Sequence, residues 1–305
     1  MNISFSYAGE IFSLSSAVFW ALAVVMMKRV GEKVHPVVLN LFKNTLGAIL
    51  IGFTLIVIGE PLISPGFVAR EDYTRLIISG IIGIGLADIL FLHSLNIIGA
   101  GISALVNTVY SPFVILFAYF LLGEQLSAVQ FLGGGLIIGA ILFASAKLQH
   151  IPVDRSRLIY GIVLSIFAIS MMAFAIVLMK PVLNKFQGDM GKQLWFVWFR
   201  LLPGFIIPLI IFIFKNRKKN LISPFKDKNI WTPLLIATFF STYLGMSSWI
   251  IGMSLTKAST ASILNQTATI FILIFARIFL NEPFTKRRVF AILIAMVGAY
   301  LVFIG

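Results

Sequence analysis

Asp88 stands alone in the middle of an apolar run, "GLADILFLHS" (Gly85–Ser94). A charged aspartate at bilayer centre costs roughly 2.5–3.5 kcal/mol on insertion scales. It must therefore face a polar cavity, pair with a base or carry a proton, and substrate or proton binding is the chemistry it could do. His93 follows five residues later, about 140° away around a helix, so the two share no face and form no relay within it. The other acidic residues fall in loops or at the ends of apolar runs. Two of them, Glu124 in "LLGEQLS" and Glu282 in "FLNEPFT", sit in matching corners where a Gly or Asn could end one helix and a Ser or Thr could cap the next.

Other polar residues recur inside apolar runs. Ser103, Asn107 and Ser111 form an i, i+4, i+8 stripe. A second run carries Ala261, Asn265 and Thr269, with Ser262 and Gln266 beside them. Polar groups on one face of a lipid-embedded helix point inward, toward other helices or a water-filled cavity. Lys43 and Arg200 lie a turn or two inside their runs, where they either snorkel to the interface or bind a substrate carboxylate or phosphate. Trp20, Tyr110, Tyr243 and Trp249 lie deep enough to wall a cavity for an organic substrate. Trp195, Trp198 and Trp231 start their runs, as interface anchors do.

Enzyme chemistry finds little footing. There is no Cys, so thiol nucleophiles, disulfides and Cys-based zinc sites are excluded. Three histidines, no phosphate-binding loop and no H-E-x-x-H leave neither a metal centre nor a nucleophile–base pair. No cofactor is expected.

The elements that position these residues follow from composition. The 305 residues are 59% hydrophobic and 11% charged, with a mean hydropathy of +1.01, whereas soluble domains carry about 25% charged residues. Lipid must be the solvent for most of this chain. The net charge of +13 is concentrated between apolar runs, in "KNRKKN" (Lys215–Asn220) and "TKRR" (Thr285–Arg288), which fits head-group attraction rather than nucleic acid. The first apolar run is too long for a signal-peptide core and reads as a retained span.

With about twenty apolar residues per crossing, ten spans are predicted: 9–29, 36–58, 75–97, 100–122, 128–146, 158–179, 195–214, 232–255, 258–280 and 288–304. A shift of 158 lays Ala100, Asn107, Phe113, Phe117, Ala118, Leu122 and Glu124 onto Ala258, Asn265, Phe271, Phe275, Ala276, Leu280 and Glu282. "LFKNTLG" (Leu41–Gly47) similarly falls over "WFRLLPG" (Trp198–Gly204), matching Lys43 with Arg200. The chain reads as a duplicated five-helix unit, residues 1–150 and 151–305. An odd number of spans inverts the second copy in the membrane, an arrangement typical of secondary transporters with a midplane site. The expected fold is an all-α integral membrane protein of ten transmembrane helices in two inverted five-helix repeats.

The passage "ISALVNTVYSPFVILFAYFLLGEQLSAVQFLGGGLIIGAILF" (Ile102–Phe143) resembles the EamA-type repeat of the drug/metabolite transporter superfamily. "TASILNQTATIFILIFARIFLNEPF" (Thr260–Phe284) resembles it less fully, with Asn281 in place of the first copy's Gly123. Lys43 and Arg200 correspond to the family's basic residue in the second helix of each unit. The resemblance covers nearly the whole chain. It implies export of small organic metabolites, amino acids foremost, by a monomer in the cell membrane, the bacterial inner membrane being the natural location, with protons as a candidate coupling ion. A passive facilitator or channel is the alternative. The family is described with both termini in the cytoplasm, whereas the positions of the basic loops place both termini outside by the positive-inside rule. Either way the termini share a side.

Overall fold

The structure is a computed structural model, and it describes residues 7–63, 66–123, 127–145, 154–216, 220–255, 261, 264–282 and 285–304. Among these residues every regular element is helical. The first four long helices are α1 (Ala8–Gly31), α2 (Pro36–Val57), α3 (Arg70–Ser79) and α4 (Ala87–Val106), the last two joined by a π-helical turn, Gly80–Leu86. α5 (Tyr110–Leu122), α6 (Ala128–Ser145), α7 (Arg155–Lys185), α8 (Met190–Gly204) and α9 (Ile206–Asn216) follow. α10 (Trp231–Thr238) and α11 (Met246–Leu255) flank a second π-helical turn, Phe239–Gly245. α12 (Ala268–Leu280) and α13 (Lys286–Ile304) end the chain.

Among the described residues, six helical stretches are long and apolar enough to cross a membrane, and two shorter apolar ones are Phe131–Ala140 and Leu264–Leu280. The longest stretch, Arg70–Leu122, has 53 residues, or roughly 80 Å at 1.5 Å per residue, far more than one crossing of a ~30 Å core needs. Gly99 divides it, at φ 74° and ψ 168°, a conformation open to glycine alone. The protein is thus a multi-pass membrane protein whose outer helix faces carry exposed Ile, Leu and Phe, such as Phe53, Phe120, Phe131 and Ile278.

Helix ends follow local chemistry. His35 caps α2, its Nδ1 accepting from the Val37 N–H at 3.2 Å. Asp189 caps α8 through Lys192 N–H at 3.1 Å. α5 ends on Gly123 at φ 73° and α12 on Asn281 at φ 53°, both left-handed, as the two corners predict. Thr285 accepts from the Arg288 N–H at 3.3 Å, the expected cap of the last helix. Pro203 and Pro208 bracket the break at Phe205 between α8 and α9. Glu124 and Ser262 lie outside the described residues.

Contacts between helices run in reciprocal pairs. α2 packs on α8, and α6 on α13. α1 packs on α10, α11 and α12, while α7 packs on α3, α4 and α5. Each π-helical turn is similarly flanked, the first by α7 and the second by α1.

One expectation about the tryptophans is corrected. Trp195 is 1% exposed rather than anchored at an interface. It stacks on Phe199 with centroids 5.0 Å apart, meets Phe67 edge-on at 5.5 Å, and donates its indole N–H to the Leu62 carbonyl at 3.2 Å. The loop carrying Leu62 and Phe67 folds over it. Trp231 does stay partly exposed, donating to the Phe225 carbonyl at 3.1 Å.

Candidate functional site

The π-helical turns, Gly80–Leu86 and Phe239–Gly245, lie beside the site. A π turn leaves carbonyls without their helical partners, and such turns concentrate at functional sites. Here polar side chains take them up: Asn40 Nδ2 donates to the Ile84 and Gly85 carbonyls at 3.0 and 3.4 Å, and Ser16 Oγ to the Gly245 carbonyl at 3.1 Å. Asn40 begins a buried chain. Asn44 Nδ2 donates to Asn40 Oδ1 at 2.9 Å, Lys43 Nζ donates to Asn44 Oδ1 at 2.9 Å, and Lys43 Nζ meets Asp88 Oδ2 at 2.5 Å. Lys43 is 3% exposed and Asp88 7%. Of the three states open to a buried aspartate, pairing with a base is the one adopted. That base is on α2, forty-five residues earlier.

Arg200 sits on α8, 5% exposed. Its helix presses on the first π turn so closely that a side chain at Gly80 would strike the Arg200 carbonyl and Pro203, and one at Gly204 would strike Ile84. These glycines set the depth at which the guanidinium enters. Unlike Lys43, Arg200 makes no ion pair among the described residues, and its buried Nε has no hydrogen-bond partner there.

Asp88 and Arg200 face one cavity of about 140 Å³. By the same measure a single water needs ~10–15 Å³, so the space holds a small organic molecule or a cluster of waters. Its walls come from both parts of the chain: Trp20, Asp88, Ser103, Asn107 and Tyr110 from the first, and Arg200, Trp249 and Asn265 from the second. Tyr110 meets Trp249 edge-on, centroids 6.4 Å apart. All eight of these were singled out in the sequence. The chain also lines the space with Phe91, Met172, Met246 and Ile272, which no polarity or periodicity marks because their helices are apolar all round.

The remaining candidates lie elsewhere. His93 is exposed on the outer side of α4, edge-on to Tyr160 at 6.5 Å, the angular offset from Asp88 having turned it away. Ser111 leaves the stripe of Ser103 and Asn107 because Asn107–Val109 is 3-10 rather than α-helical, with three residues per turn. It accepts instead from Gln266 Nε2 at 2.9 Å. Thr269 Oγ1 reaches the Ala104 carbonyl at 3.4 Å, and Tyr243 Oη bonds Thr54 Oγ1 at 2.9 Å. These groups join helices rather than wall the cavity.

Glu282 does its work away from the cavity. Its two carboxylate oxygens accept the N–H groups of Ala100 and Gly101 at 2.8 and 2.9 Å, with Arg288 Nη1 at 4.0 Å. Those N–H groups open the helix that restarts after Gly99, where the helix dipole favours an anion. The corner is thus a clamp from the end of one part of the chain onto the other, a partner that sequence spacing does not reveal.

Comparison with known proteins places this architecture. The chain is 23% identical over 314 residues to an uncharacterized transporter of Methanothermobacter thermautotrophicus, covering 97% of this chain and 86% of that one. A solved crystal structure shares the fold, with a TM-score of 0.69 at 13% identity and 98% of each chain covered. The model of the EamA-like transporter family matches twice, over residues 7–146 and 159–304. A multi-pass bundle with a small-molecule cavity, matched along nearly its whole length by that model, belongs to the EamA-like transporter family.

Proposed function

We propose that this chain is a secondary transporter that exports small organic metabolites, amino acids foremost, by alternating access. Its ten transmembrane helices form two inverted five-helix repeats, residues 1–150 and 151–305, and it works as a monomer in a bacterial cytoplasmic membrane. The observation that carries the reading is the cavity itself, walled by polar and aromatic side chains from both parts of the chain. The reciprocal helix contacts and the paired π turns support the repeat. With five spans in each unit, the axis relating them lies in the membrane plane, so opposite ends of the bundle open in turn.

Counterflow in proteoliposomes tests the mechanism. A carrier preloaded with substrate shows trans-stimulated uptake of labelled substrate, whereas a facilitating channel shows none.

Protons are the proposed coupling ion, through Asp88. Protonating its carboxylate would release Lys43 and change the charge of the cavity wall. Asp88→Asn is expected to abolish the pH dependence of transport. An unchanged rate and pH profile in that variant ends the proton assignment while leaving the carrier intact.

A further inference from the structure

The two parts of the chain carry a cation at aligned positions, Lys43 and Arg200, and treat it differently. Lys43 has a resident carboxylate, Asp88, at 2.5 Å. The π turns Gly80–Leu86 and Phe239–Gly245 align Asp88 with Ser247, which has no charge to offer. Among the described residues, Ser247 Oγ is itself buried without a partner, as is Arg200 Nε. The one carboxylate that shares the cavity wall with Arg200, Asp88, is already bonded to Lys43, and a guanidinium left to share it is costly in an apolar interior unless a further anion meets it.

We infer that the substrate supplies this missing carboxylate: Arg200 binds the single carboxylate of a small organic acid whose apolar or aromatic body lies against Trp20, Phe91 and Trp249. The inference rests on the transport reading and specifies its substrate class. A planar guanidinium matches a carboxylate in a two-bond fork. The charge count limits the ligand to one negative charge at that point, since Lys43 is already neutralised by Asp88. A phosphate monoester dianion would remain half-compensated. Asn265 Oδ1 is also buried, without a partner among the described residues, and the residue lies in the cavity wall, so it can accept from an α-amino group. Amino acids and their des-amino analogues therefore both qualify, and decarboxylated amines do not.

The test is calorimetric titration of the purified full-length protein with phenylalanine, hydrocinnamate, phenethylamine and phenyl phosphate. The two carboxylates are expected to bind and the amine and phosphate to bind far more weakly. Arg200→Gln should weaken carboxylate binding roughly 30-fold or more, as removal of one partner of a buried charge pair does, and Arg200→Lys should retain part of it. Ser247→Asp puts a carboxylate at the position aligned with Asp88, on a helix (α11) that packs against the helix of Arg200, and should weaken carboxylate binding; an unchanged melting temperature in detergent shows that this variant keeps its fold, which covers the case of Arg200→Gln failing to fold.

Amine or phosphate binding as tight as carboxylate binding overturns the inference, as does unchanged affinity in Arg200→Gln or Ser247→Asp. So does the absence of carboxylate binding to the wild type. Counterflow of amines and neutral solutes, run in parallel, then decides whether the transport reading falls with it.

Discussion

Lys43 is held by two partners, the carboxylate of Asp88 and the amide oxygen of Asn44. Removing one member of a buried pair strands the other charge, whereas removing both leaves only a packing change. Asp88→Leu alone is expected to lower unfolding free energy by about 3–5 kcal/mol. The double variant Lys43→Met, Asp88→Leu should lose clearly less, as measured by denaturant unfolding in detergent. Losses that simply add would mean that the pair is solvated rather than buried. The aspartate was legible in the sequence as an isolated charge in an apolar run. Its partner was not, since a loop, a helix and a π turn separate Lys43 from Asp88 and a lysine near a helix end reads equally well as snorkelling. The solitude of Arg200 is a property of three-dimensional surroundings, and no spacing encodes it.

At the scale of elements, the corners were the most legible part. Gly123 and Asn281 both adopt the left-handed conformation that the alignment of "LLGEQLS" with "FLNEPFT" suggests. Asn281→Gly should leave stability unchanged or slightly raised. Asn281→Val should cost about 1–2 kcal/mol, because a β-branched side chain there meets the following carbonyl. Thermal unfolding of the two variants checks this, and equal melting temperatures would show that the corner adapts freely. The π turns were invisible by contrast. An inserted residue in an all-apolar helix changes no residue type, so hydropathy passes over it. The same blindness misplaced Ser111, where three residues of 3-10 helix redirected a stripe drawn with α-helical spacing. Trp195 was misjudged because position along a helix says nothing of a loop folding over it.

At the scale of the molecule, α1 and α7 each find most of their neighbours in the opposite part of the chain. Glu282 adds a carboxylate clamp across the same divide. Residues 1–150 expressed alone should therefore be protease-sensitive, and so should residues 151–305. Co-expressed, the two should be recovered together as a protected pair. A first part that is stable and monodisperse by itself would count against this reciprocal packing. Aligned Ala, Asn, Phe and Glu positions are what the sequence offers for a duplication, whereas the way the two parts of the chain interlock emerged only from the contacts.

That interlock sets a timetable for biosynthesis. α1 leaves the ribosome well before the α11 and α12 faces it packs against exist. At ~5–20 residues per second, the chain from Gly31 to Met246 takes roughly 10–40 s to make. Throughout that interval Ser16, whose hydroxyl donates to the Gly245 carbonyl in the finished fold, has only lipid, translocon or a borrowed partner to face. Until those faces emerge, α1 is a part of the nascent chain open to the membrane's quality-control proteases.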